Sequence, residues 1–136
     1  MTMTVKTAEI VPIRAEADLV VVRQMARAAA SEAGLGLVDA TKLVTATSEL
    51  ARNALIYGGG GTALIETLQD GIRKGVRLTF EDHGPGIDNL ELAMTDGWTS
   101  GKGMGLGLSG AKRLSNEFEI HSVPGEGTRV MIARWK

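Results

Sequence analysis

The run Val76-Arg77-Leu78-Thr79-Phe80-Glu81-Asp82-His83-Gly84-Pro85-Gly86-Ile87 decides how the rest of this chain is read. Val76, Leu78 and Phe80 alternate with Arg77, Thr79 and Glu81, the period of a strand with one buried face. The strand delivers a carboxylate, Asp82, into a turn made rigid by a proline between two glycines. An acid at the base of such a turn is partly buried and needs a hydrogen-bond donor to offset its lost solvation. The exocyclic amine of a purine is one donor of that kind. On its own, an Asp-x-Gly is more often a turn cap than a ligand site. The neighbours have to decide.

Downstream, Gly103-Met104-Gly105-Leu106-Gly107-Leu108-Ser109-Gly110 contains a formal GxGxxG at Gly105, Gly107 and Gly110. A dinucleotide fold would place that motif after an early apolar strand, whereas here it follows the polar stretch Asp96 to Lys102. A Walker A loop also fails, because Gly101-Lys102 is followed by Gly103 and not by Ser or Thr. The physics beneath both motifs survives: small residues let backbone N–H groups approach phosphate oxygens, and a helix N-terminus adds donors and a favourable dipole. A glycine-rich surface loop packed tightly on a helix is the competing reading. Upstream, Glu49 and Asn53 lie four residues apart on a helix and project about 40° apart on one face. Alone, that pair is most simply a solvated polar strip. As a site, Asn53 would hold Mg²⁺ through its carbonyl oxygen and Glu49 would accept a proton from an attacking nucleophile.

Around these segments the chain divides cleanly. A strand is expected over 5–13, with Pro12 marking an edge or an end. Helices are expected over 16–33, on the stripe Leu19, Val22, Ala26, Ala29 and Ala33, and over 38–57, on Leu43, Ala46 or Thr47, Leu50, Ala54 and Tyr57. The second helix stops at Gly58-Gly59-Gly60-Gly61. Strands follow over 62–69 and 76–81, joined through Asp70-Gly71 and Lys74-Gly75. A short helical turn over 90–94 and a helix over 106–114 come next, then strands over 118–123 and 128–135 around Pro124-Gly125-Glu126-Gly127. The sum is a single domain, residues 1–136, of α+β class: a two-layer sandwich with a mixed, mostly antiparallel sheet and helices on one face.

Composition removes several functions. The chain has 136 residues and a formal net charge of -1, without the basic excess of a nucleic-acid binder. It has no cysteine, which excludes disulfides, Cys-zinc sites and thiol catalysis. Its two histidines, His83 and His121, are far apart and suggest no metal cluster. No apolar run has the length of a membrane span and no signal peptide is visible, so a cytoplasmic protein without membrane or nucleic-acid partners is expected. Glycine stands out: 18 of 136 residues, most of them between Gly58 and Gly110, where about 7% is usual.

Order and spacing turn weak motifs into a pattern. Glu49-Leu50-Ala51-Arg52-Asn53-Ala54 resembles the N box of the GHKL ATPases and kinases. Asp82 to Ile87 resembles their G1 box, Gly103 to Leu108 their G2 box, and Gly127-Thr128 the final Gly-Thr before the last strand. Within that superfamily, Ala93-Met94-Thr95-Asp96-Gly97-Trp98, Ser109 to Leu114 and Glu117 to Ile120 are similar to switch kinases of the RsbT type. The resemblance implies a Bergerat ATP-binding fold and a serine/threonine protein kinase. It further implies STAS-domain substrates in a stressosome-like scaffold, and binding of a PP2C-type phosphatase on release.

Carried over by position, Asp82 would bind the adenine amino group, in a turn shaped by Gly84 and Gly86, with Gly86 and Thr128 assisting. Asn53 would ligate Mg²⁺. The backbone of Gly103, Met104, Gly105, Leu106, Gly107 and Leu108 would hold the phosphates of ATP beneath a lid over 90–102, with Lys102 a candidate contact for the terminal phosphate. Glu49 would be the general base. Ser48 stands where the family often has Asn, and position 83 carries His. The other reading the resemblance leaves open is an anti-sigma-like binding protein that sequesters a partner, with nucleotide setting its affinity.

Overall fold

Two successive helices with apolar stripes need a surface to cover them, and in the computed structural model a five-stranded sheet supplies it. The structure describes residues 2–95 and 107–136. Strand β1 (Met3–Ile13) leads into α1 (Glu16–Glu32) and α2 (Leu37–Ile56), followed by β2 (Gly61–Asp70) and β3 (Arg73–Asp82). Then come α3 (Leu90–Ala93), α4 (Gly107–Arg113), β4 (Glu117–Val123) and β5 (Gly127–Trp135). The strand order is β1-β2-β3-β5-β4, and each pairing is antiparallel. The α+β sandwich expected from the sequence is therefore present, with a sheet that is antiparallel throughout.

The helical stripes meet the sheet as their spacing requires. Leu19, Val22, Ala26, Ala29 and Ala33 are buried on one side, and Leu43, Ala46, Thr47, Leu50 and Ala54 on the other. They pack into one core with Val76, Leu78, Phe80, Val130 and Ile132. The start of α1 is satisfied by Asp18, whose Oδ2 accepts from the N–H groups of Arg14 (2.8 Å) and Ala15 (3.0 Å). The start of α2 is tied to the sheet by Arg134, which bonds Asp39 (2.8 Å) and also the carbonyl of Leu114 beyond α4 (2.8 Å). One arginine thus joins α2, β5 and the end of α4. Among the described residues no helix is long and apolar enough to cross a membrane.

One expectation changes. Lys74-Gly75 does not belong to the turn after Asp70: β3 begins at Arg73, and the turn is confined to Gly71 and Ile72. Gly75 pairs with Leu68 on one side and Trp135 on the other. A side chain at 75 would meet the Trp135 indole at 2.8 Å, so this glycine makes room for the ring. Pro12 lies near the end of β1, an edge strand, where a missing donor is tolerated.

The register sets the site. Gly61 pairs with Asp82, Asp82 with Thr128, and Thr128 with Ser122, so one row crosses β2, β3, β5 and β4 at one end of the sheet. Asp82 shares the strand face of Leu78 and Phe80, and Thr128 that of Val130 and Ile132; this face carries the helices. Leu78 is fully buried at the middle of this face. Leu78→Ala is expected to cost about 2–5 kcal/mol, measured as a lower urea midpoint with an unchanged slope.

Candidate functional site

A cavity of about 430 Å³ opens between α2, α3, the start of α4 and the row described above. Its floor is apolar, built from Leu50, Ala54, Phe80, Leu108 and Val130, and its polar side chains are few: Asn53, Tyr57, Asp82, Asp88, Asn89 and Thr128. An apolar slot with a small number of placed polar groups suits a flat heteroaromatic ring. A wider hollow of about 750 Å³ lies on the outer face of the sheet, away from Asn53 and Asp82. There Arg77 is bonded to Glu66 at 2.8 and 3.1 Å, and this hydrogen bonding holds the guanidinium above its ordinary range. That hollow mixes apolar and charged side chains around the Arg77–Glu66 pair and holds none of the expected site residues.

Asp82 is half-buried, as its place at the base of the turn demands. Its Oδ1 accepts from the N–H of Gly84 (3.0 Å), so the turn-cap reading is correct as far as it goes. The carboxylate nevertheless also lines the cavity. Gly84 stands behind that wall and not in it, whereas Gly86 is part of it. Gly86 has φ +74°, and a side chain there would run into the carbonyl of Val123. The turn is therefore held against the β4–β5 connection, where Gly125 also donates to the carbonyl of Pro85 (2.7 Å).

Asn53 and Glu49 sit on α2, both half-buried. Asn53 lines the cavity. Glu49 joins the site differently: its Oε1 accepts from the backbone N–H of Gly107, the first residue of α4, at 2.9 Å. Residues 58 apart in sequence meet there, and the acid lies at the entrance of the second glycine-rich segment. Gly107 and Leu108 line the cavity. Lys102, Gly103, Met104, Gly105 and Leu106 lie outside the described residues.

Besides Asp88, three contributors were not singled out from the sequence. Gly58, read only as a helix stop, lies against the side chain of Asp82. Ser122 bonds both the turn and Thr128, at Ile87 N–H (2.8 Å) and Thr128 Oγ1 (2.8 Å). Asn89 lines the cavity and caps α3, its Oδ1 accepting from Leu92 N–H (2.9 Å). Only the Gly58 position carried a local signal, a four-glycine run longer than a helix stop needs. Among the described residues there is no group of three or more His, Cys, Asp or Glu that would hold a metal by itself. A cation here would have to share its ligands with a bound phosphate, which suits Mg²⁺ on one amide oxygen.

These features, a helix carrying Glu49 and Asn53 and an acid-based glycine turn at the end of an antiparallel sheet, define a class. The chain belongs to the family described as histidine kinase-, DNA gyrase B-, and HSP90-like ATPases, whose model matches residues 38–136. It is a homologue of the serine/threonine-protein kinase RsbT of Bacillus subtilis (strain 168), 45% identical over 125 residues, which are 92% of this chain and 94% of that protein. It is also 31% identical over 105 residues to the anti-sigma F factor of Anoxybacillus flavithermus, covering 72% of this chain and 70% of that one. Among solved structures, the RsbU and RsbW domains of a Mycobacterium tuberculosis protein superpose with a TM-score of 0.65 at 20% identity. That match covers 95% of this chain and about a third (32%) of the other, and it shows the shared fold.

Gly58 offers a direct test of the cavity wall. A methyl group at 58 would overlap Cγ and Cβ of Asp82, so the carboxylate and the backbone that carries it must shift, although Gly58 has no positive φ to strain. Gly58→Ala is therefore expected to keep its circular dichroism spectrum but to lose about 1–3 kcal/mol of stability, read as a lower urea midpoint. Its affinity for adenine nucleotide should fall about tenfold or more as the carboxylate is pushed aside; unchanged affinity in a calorimetric titration would place the ligand elsewhere.

Proposed function

We propose that this chain is a serine/threonine protein kinase that transfers the γ-phosphate of ATP to a STAS-domain protein in a partner-switching pathway. On release it would bind a PP2C-type phosphatase. The observation that carries the reading is the 45% identity to RsbT over 92% of the chain, together with a site whose acid, Glu49, adjoins the start of α4. Asp82 accepts from the adenine amino group, and the ring lies on Phe80, Leu108 and Val130 between β3 and α2. Asn53 would hold Mg²⁺ through its amide oxygen, and the ion would supply charge neutralisation at the phosphates. The backbone of residues 103–106 and the N–H of Leu108 would hold the phosphate oxygens, with Lys102 a candidate contact for the terminal one.

Phosphoryl transfer asks little covalent work of the protein. The substrate hydroxyl oxygen forms a bond to the γ-phosphorus, the bond from that phosphorus to the β–γ bridging oxygen breaks, and ADP departs. The hydroxyl proton goes to Glu49. With Oε1 engaged by Gly107, Oε2 is the oxygen left to take it. This gives the Gly107 bond a purpose: it fixes the plane of the base relative to the phosphate cradle. A second reading, a nucleotide-regulated binding protein acting by sequestration, is favoured by the likeness to anti-sigma F factors.

The two readings separate when the chain is incubated with Mg-ATP and STAS-domain proteins. Intact-mass spectrometry is expected to show one added phosphate, mapped to Ser or Thr; a stable complex with no phosphate on any candidate would favour sequestration. Glu49→Gln preserves an acceptor for Gly107 but not the base. It should bind ATP within about threefold of the parent and transfer about 10²- to 10⁴-fold more slowly. Transfer at the parental rate would remove Glu49 from the chemistry. Asp82→Asn replaces an acceptor-only carboxylate by an amide and should weaken ATP about 10- to 100-fold, read by calorimetry.

A further inference from the structure

We infer that Ser122, a residue outside the cavity wall, is a positioning residue that makes the site select 6-amino over 6-oxo purine nucleotides. The inference rests on the reading of the cavity as a purine site. Ser122 is half-buried on β4, behind Thr128, and its hydroxyl has three neighbours. The N–H of Ile87 donates to Oγ at 2.8 Å. The carbonyl of Gly127 lies 3.2 Å from Oγ and can only accept. Thr128 Oγ1 lies at 2.8 Å and is able to donate or accept.

A serine hydroxyl has one proton and two lone pairs. The carbonyl of Gly127 takes the proton, and Ile87 N–H fills one lone pair. The second lone pair is then filled by the proton of Thr128, and every capacity of Ser122 is used. In the reverse polarity, with Ser122 donating to Thr128, Gly127 would lose this donor and a Ser122 lone pair would stand idle. Half-buried hydroxyls settle into the arrangement that satisfies most partners.

The consequence falls on the cavity. With its proton turned back toward Ser122, Thr128 shows only lone pairs to the ligand. Its register partner Asp82 shows a carboxylate, also an acceptor. Two acceptors side by side match the two N–H bonds of a 6-amino group. A 6-oxo group would set its own lone pairs against both. Ile87 belongs to the same glycine turn as Asp82, so a single hydroxyl both anchors that turn and fixes the polarity of Thr128.

ATP and ITP carry the same triphosphate and differ at C6 and in the N1 proton; the N1 difference is common to parent and variant, so the change in the ratio of their dissociation constants reads this polarity. The parent chain with Mg²⁺ is expected to bind ATP about tenfold or more tightly than ITP. Ser122→Ala frees the Thr128 hydroxyl to donate to a 6-oxo group, and the ratio should narrow about fivefold or more; Ser122→Thr should restore it. A purely structural role would weaken both nucleotides together, and an unchanged ratio in Ser122→Ala would overturn the inference. If Ser122→Ala does not fold, Thr128→Val removes the polarised hydroxyl itself and must narrow the same ratio. Failure of the parent to bind either nucleotide would overturn the purine reading and this inference with it. Equal binding of both, each lost in Asp82→Asn, would overturn the inference alone.

Discussion

The site depends on one row of residues across the end of the sheet. Antiparallel pairing places Gly61, Asp82, Thr128 and Ser122 side by side on β2, β3, β5 and β4, on the face that carries the helices. Slipping any of these strands by one residue would turn its member of the row to the outer face. Register is held by burial elsewhere along the same strands: Val76, Leu78 and Phe80 alternate into a core that admits no other phase. The polar geometry of the cavity is thus a consequence of hydrophobic packing several residues away.

A second constraint joins the two ends of the site. Glu49, rising from α2, accepts from Gly107 at the start of α4, and α2 is itself pinned to β5 by Asp39 and Arg134. The helix bearing the proposed base, the start of α4 and the strand bearing Thr128 are therefore linked by side-chain hydrogen bonds. Such coupling suits a reaction whose catalysis is mostly alignment and charge stabilisation. Gly58 and Gly86 are small because another residue's side chain or carbonyl occupies the space where theirs would be, so at these two positions glycine records close approach.

Much of this was legible before any coordinates. Periodicity located both long helices and the five strands, because each buries one face and the burial leaves its period in the sequence. The N-box, turn and Gly-Thr motifs pointed to Asn53, Asp82, Gly86 and Thr128, and these four do line one cavity. The limits of β3 were less legible. Gly75 reads as a turn residue, and only the Trp135 indole across the sheet explains a glycine inside a strand. Asp82 could not be divided in advance between turn cap and ligand wall; it does both with different parts of one carboxylate environment.

By itself, the sequence determined the α+β class, the order of the elements, the family and the residue types from which a nucleotide site is built. Those properties are local, carried by periodicity and by motifs a few residues long. The tertiary structure alone decided that Glu49 meets Gly107, that Gly58 backs Asp82, and that Ser122 stands behind Thr128 with its hydroxyl fully engaged. Each is a contact between distant or cross-strand residues. Hydrogen-bond polarity in particular is set by counting protons and lone pairs in three dimensions, and no spacing along the chain encodes that count.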